Sequence, residues 1–345
     1  MPKAFITGLG GTRLTPAERA FIAAHDPLGF ILFARNVSEP EPLRLLTAEL
    51  RDAVGRADAP VLVDQEGGRV ARLGPPCWRA SPPAALFGRL ARIDGDAAIR
   101  AVYLDARLIG TELRAAGITV DGAPVLDVPI PGADPVIGDR AFDDDPGRVA
   151  ALGAAFCDGL AAAGIVPVLK HIPGHGRARV DSHRALPRVG ADRATLHAHD
   201  FAPFKAVAGR AGPEPWAMTA HVVYAALDAD RPATLSPVVI GEAVRATIGF
   251  AGVLISDDLS MGALSGPVGT RAAAALDAGC DLVLHCNGNL AEMGEVAAAC
   301  PAVAGETAAR LSRSIGAVGT PSSFDAAAAG AELERLLAPV LQGAR

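Results

Sequence analysis

Several things are missing from this 345-residue chain. It has no CxxC pair, and its five cysteines (Cys77, Cys157, Cys280, Cys286, Cys300) are scattered and odd in number. That pattern argues against a disulfide framework and fits a reducing compartment. No block of lysine and arginine interrupts the formal net charge of −6, so DNA or another polyanion is a poor partner. No apolar run approaches the length of a membrane span, so no membrane partner is expected. The opening MPKAFITGLGG lacks the long apolar stretch and small-residue cleavage site of a signal peptide. It reads as a first strand, and the cytoplasm is the expected location. No repeat at solenoid spacing is visible.

The chain does hold short apolar runs alternating with segments of helical period. Strands are expected at Ala4–Thr7, Phe30–Phe33, Pro60–Val63, within Ile118–Val128, and at Ile165–Leu169, Trp216–Val223, Gly252–Ile255 and Asp281–His285. Helices fall between most of them: from Pro16 with Thr15 as N-cap, then Glu41–Val54, Ala97–Ala116, Pro146–Ala163, Arg193–Gly209, Pro237–Ile248 and Thr270–Ala278. Further helices are expected across Leu290–Leu341. Strand–helix–strand order implies parallel pairing through crossovers. Eight such units make a (β/α)8 barrel the best fit, as one domain over 1–345 with added C-terminal helices from about 302. A doubly wound open sheet is the alternative, because periodicity does not report closure. The Pro/Gly clusters at Gly74–Pro76 and Ser81–Pro83 read as one long loop.

Polar residues gather where the expected strands end: Asp64, Asp127, Lys170, His171, His221, Asp257 and His285. In a barrel, the loops after the strands build the active face. Stability alone favours apolar residues there. The densest stretch is Lys170–His183, KHIPGHGRARVDSH. His171, His175 and His183 invite a zinc reading. However, Pro173 and Gly174 break any helix between the first two, which removes the i, i+4 face of a helical zinc motif. For His175, hydrogen bonding inside a tight loop competes evenly with a direct role. Asp181 and His183 are two apart and share a side in an extended loop. A carboxylate bonded to an imidazole fixes its tautomer and raises its basicity, as a general acid/base requires. A surface turn without duty is the bland alternative. Asp257 is placed for a barrel mouth and suits a nucleophile towards a sugar carbon, whereas Asp258 suits a cap. Asp64 and Arg72 suit bonds to hydroxyls, with an internal salt bridge as the competitor for Glu66 and Arg69. The competitor for Arg140 is a bridge to Asp139 or Asp143. A lysine such as Lys170 directly after an apolar strand is costly unless paired or used.

The motifs DQEGGRVARL, VIGDRAF, KHIPGHGRARVDSH, MTAHVVY and ISDDLSM occur in that order. Together they resemble the β-N-acetylhexosaminidases of glycoside hydrolase family 3, from about Ala4 to Gly288. The resemblance implies a TIM barrel without cofactor or metal. It also implies retaining hydrolysis of a terminal β-linked N-acetylglucosamine from 1,6-anhydro-muropeptides, in cytoplasmic peptidoglycan recycling. By the same resemblance Asp257 matches the nucleophile, His183 the acid/base and Asp181 its partner. Asp64, Arg72, Arg140, Lys170 and His171 match sugar-binding positions. Gly174 and Gly176 are expected to act as a pivot for the loop. Arg177-Ala178-Arg179-Val180 is more basic than the resemblance leads one to expect. Two alternatives stay open: a metal-dependent hydrolase using His171, His175 and His183, and a phosphorylase on the same scaffold. The oligomeric state is not readable.

Overall fold

The computed structural model describes residues 1–210, 214–317 and 321–342. Eight parallel strands close into a barrel. In chain order they are β1 (Lys3–Thr7), β2 (Pro27–Leu32), β3 (Val61–Val63), β4 (Val120–Asp121), β5 (Val166–Ile172), β6 (Trp216–Thr219), β7 (Leu254–Asp258) and β8 (Leu282–His285). Closure is made by β1 on β8, with Phe5 opposite Val283 and Thr7 opposite His285. The eight expected strands are all present, and the open sheet is excluded by this pairing. The run expected over Ile118–Val128 pairs as a ladder only at Val120–Asp121. It then rejoins β5 through a bridge between Val125 and Lys170 and through the Leu126 N–H donating to the Lys170 carbonyl at 2.7 Å.

Strand alternation divides the core in two. Ile6, Leu62, Val168 and Ile255 point into the barrel, while their neighbours Phe5, Val63, Leu169 and Leu254 pack outward under the helices. The N-cap expected at Thr15 forms, and Glu18 completes it as a capping box: the Glu18 N–H donates to Thr15 Oγ1 at 3.2 Å and the Thr15 N–H to Glu18 Oε2 at 2.8 Å. The Pro/Gly segment from Gly74 to Pro83 is loop, and a helix that the sequence reading did not include, Ala84–Ala91, starts immediately after Pro83. Arg193–Gly209 is broken into a short helical turn, a π-helical turn at Leu196–Asp200 and a helix at Ala202–Ala208. The segment expected as helix over Pro237–Ile248 is π-helical at Val239–Thr247. The C-terminal helices are Gly305–Ala317 and Ala326–Gln342. No helix among the described residues is long and apolar enough to cross a membrane.

Candidate active site

The inward parity of the strands builds the site directly. Two residues beyond Leu62, Val168 and Ile255 come Asp64, Lys170 and Asp257, so the apolar barrel layer is capped by two carboxylates and an ammonium. Two residues beyond Ile31 and Leu284 come Phe33 and Cys286 by the same rule. All five line one cavity of about 270 Å³, together with Arg72, Arg140, His171, His183 and Met261.

The floor is an ion-pair network. Lys170 Nζ lies 2.9 Å from Asp64 Oδ1 and 2.6 Å from Glu66 Oε1. Arg140 grips Glu66 with two N–H groups at 2.8 Å each. Arg72 donates to Asp64 Oδ2 at 3.2 Å. Arg140 therefore turns away from Asp139, which pairs with Arg69 at 2.8 Å, and from Asp143, which pairs with Arg92 and Arg148. Burial pushes the Asp64 and Glu66 carboxyls up, but Lys170 leads the neighbouring cations in pulling both below their ordinary values. Burial likewise pushes Lys170 down, and Asp64 and Glu66 more than restore it. The floor is thus fully charged and presents donors and acceptors in fixed places, which suits a polyhydroxylated ring.

Asp257 stands at the end of β7. Its Oδ1 accepts the Asp258 N–H at 2.8 Å. Burial pushes its carboxyl up; His221, His171 and that N–H outweigh burial and hold it below the ordinary value. His221 is itself pushed below its ordinary value by burial, with Asp257 pulling the other way. It bridges Thr234 Oγ1 at 2.7 Å and the Asp258 carbonyl at 3.0 Å, which braces the strand end from behind. Asp258 shapes the next turn, accepting from Ser260 and from the Cys286 N–H at 3.1 Å. His285 is buried away from the cavity against Glu292 at 3.0 Å.

Opposite Asp257 stands the dyad. His183 Nδ1 lies 2.8 Å from Asp181 Oδ1, which also accepts the His183 N–H at 2.9 Å. The two side chains meet through a turn and not by strand alternation: the N–H groups of Arg184 and Ala185 both donate to the Asp181 carbonyl. The His183 side chain is 63% exposed, so Nε2 is free to face a ligand. Burial pushes the Asp181 carboxyl up, and its bonds from His183 pull it net below the ordinary value.

Sequence reasoning passed over Asp127 as a site residue. Its carboxylate, fully buried, takes the His171 ring Nδ1 at 2.7 Å and the main-chain N–H of His171 and His175 at 3.1 and 2.6 Å. Its position at a strand end was the available signal. The three loop imidazoles do not converge: His171 is turned to Asp127, His175 to Ser182 and His183 to Asp181. Among the described residues no group of three or more His, Cys, Asp or Glu side chains is arranged to hold a metal ion, which disfavours the metal-dependent alternative. Gly174 and Gly176 are buried, and a Cβ on Gly176 would lie 2.0 Å from the Val128 carbonyl oxygen. Close backbone approach accounts for Gly176 without a pivot. Arg177 is tied to Asp200 at 2.5 Å, while Arg179 is exposed.

A closed parallel barrel with a strand-end carboxylate facing a histidine dyad across a charged cradle defines a class of glycosidase. Residues 6–318 match the glycosyl hydrolase family 3 N-terminal domain, and the chain belongs to that family. Within it the chain is a β-N-acetylhexosaminidase. It is 44% identical to the β-hexosaminidase of Alkalilimnicola ehrlichii over 81% of this chain and 79% of that protein. With the β-hexosaminidase of Methylococcus capsulatus it shares 41% identity over 81% of each chain. The crystal structure of NagZ from Neisseria gonorrhoeae in complex with N-trifluoroacetyl-D-glucosamine superposes with a TM-score of 0.86 at 33% identity, covering 97% of this chain and 98% of that one.

Proposed function

We propose that this enzyme releases terminal N-acetylglucosamine from N-acetylglucosaminyl-1,6-anhydro-N-acetylmuramic acid, with or without its stem peptide, during peptidoglycan recycling in the cytoplasm. The observation that carries this is the single cavity shared by Asp257, His183 and the charged floor. The sugar rests on Asp64, Arg72, Arg140, Lys170 and His171. An Asp257 oxygen attacks the anomeric carbon as the bond to the leaving oxygen breaks. Protonated His183 gives its Nε2 proton to that oxygen while Nδ1–H stays on Asp181. A glycosyl-enzyme ester results. His183, now neutral, then takes a proton from water as it attacks the same carbon, and Asp257 is released with net retention. A carboxylate acid needs a raised pKa for this double duty, whereas an imidazole already titrates near neutrality.

Incubation with purified murein fragments tests the substrate: free N-acetylglucosamine and the anhydro-muropeptide are the expected products. The same assay in phosphate buffer should yield no sugar 1-phosphate. Accumulation of the phosphate ester there would make the enzyme a phosphorylase, and fragments left intact would remove the recycling assignment. His183→Ala should slow substrates with poor leaving groups most, measured as kcat/KM across aryl β-N-acetylglucosaminides. Equal losses along the series would remove the acid role.

A further inference from the structure

Ser182 sits between the two dyad residues, yet it is buried while His183 is exposed. Its Oγ lies 3.1 Å from His175 Nε2. His175 is only 3% exposed, and its Nδ1 has no hydrogen-bond partner among the described residues. That ring therefore has one polar contact, and the contact is with the dyad's turn. The main chain of His175 is in turn held by Asp127, the same carboxylate that fixes the ring of His171 on the sugar side. A buried imidazole and a buried hydroxyl carry a desolvation cost that an apolar pair would avoid.

The second attachment of this tip is backbone. The Ala263 N–H donates to the Ser182 carbonyl at 3.1 Å and the Gly262 N–H to the His183 carbonyl at 3.2 Å. Residues 262 and 263 follow Asp257 in the β7 loop. The tip is thus hung between two supports, one descending to Asp127 and one to the strand of Asp257.

We propose that His175 and Ser182 are positioning residues for the acid/base, Ser182 being the peg that seats the Asp181–His183 turn over the cavity and His175 the link from that peg to Asp127. The proposal rests on His183 being the proton donor. Through this link one buried carboxylate sets both the ring that meets the sugar and the ring that protonates its leaving oxygen.

Ser182→Ala and His175→Gln, with His183→Ala as reference, test this on aryl β-N-acetylglucosaminides spanning a range of leaving-group acidity. Ser182→Ala should lower kcat/KM about tenfold or more for poor leaving groups and less than about threefold for the best, because only the former need the proton. Competitive inhibition by free N-acetylglucosamine should be unchanged. His175→Gln, which keeps a hydrogen-bonding group near the Nε2 position, should retain more activity than His175→Ala. The double variant Ser182→Ala/His183→Ala should be no slower than His183→Ala alone, since the peg acts only through that ring. Full activity in Ser182→Ala, or equal losses for all leaving groups, overturns the proposal. A steep leaving-group dependence in His183→Ala with none in Ser182→Ala overturns the peg alone. A flat series in His183→Ala overturns the acid/base assignment and the peg with it. Should a His175 variant fail to fold, Ser182→Ala and the double variant still decide.

Discussion

At the scale of single residues, burial and charge set the chemistry. Asp257 is ionised inside a buried site because neighbouring donors outweigh desolvation. Asp257→Ala removes the atom that would carry the glycosyl group, so turnover of an aryl β-N-acetylglucosaminide should fall by roughly 10³-fold or more. Full activity in that variant would refute the nucleophile assignment. His175 makes a stability prediction. Burial pushes its imidazole from 6.5 to about 4. The unfolded chain therefore binds a proton that the folded chain refuses between those values. The associated stability is fully present above pH 6.5 and is lost as pH falls towards 4, with an upper limit of roughly 3 kcal/mol. Denaturant titrations at pH 7 and pH 4.5 should show that loss in the wild type and a smaller one in His175→Gln. An equal pH dependence in both proteins would place the acid sensitivity elsewhere.

At the scale of elements, the loop after β5 and the loop after β7 act on each other. A Cβ on Gly262 would lie 2.8 Å from the His183 carbonyl oxygen and 3.0 Å from that of Arg184. Gly262→Ala must push the dyad's turn away from β7. We expect kcat to fall at least about tenfold with the melting temperature shifted only a few degrees, because the displaced turn is partly exposed. Gly176→Ala differs, since its Cβ would collide with buried backbone at Val128. That variant should lose stability in thermal melts by roughly 3 kcal/mol or more, with activity following folding. A kcat defect in Gly176→Ala without loss of stability would restore the pivot. The helix at Ala84–Ala91 was hidden by Pro82-Pro83 before it, although Pro83 in fact serves as its N-cap residue. Conversely, the Thr15 N-cap was legible because a cap and the helix start it serves are neighbours in sequence.

At the scale of the whole molecule, the barrel and the C-terminal helix share a core. Leu333, Leu337 and Val340 on Ala326–Gln342 are buried in the main cluster. Glu332 accepts both arms of Arg100, at 2.9 Å each, from the helix Gly95–Ala115. We propose that the barrel and its C-terminal helices form one cooperative domain through Gln342. Truncation after Phe324 should lower the melting temperature, since each buried aliphatic side chain is worth about 1.5–3 kcal/mol. The residual folded protein should keep its KM, because the cavity takes no residue from that helix. Two separate unfolding transitions in the intact chain would contradict the single domain.

What the sequence determined alone is whatever is periodic or local. Period-two alternation along β3, β5 and β7 already committed Asp64, Lys170 and Asp257 to the side of Leu62, Val168 and Ile255. The two-residue spacing of Asp181 and His183 raised a dyad beside a plain surface turn, and the resemblance, not the spacing, favoured the dyad. The tertiary structure decided the pairings between distant segments. Arg140 chose Glu66 over Asp139 and Asp143, Asp127 took both His171 and His175, and Gly262 met His183. Each of those contacts joins segments at the ends of different strands, and their geometry exists only once those strands have paired. A side chain's own neighbours along the chain fix which way it points, but what it meets there depends on which strands are brought beside it.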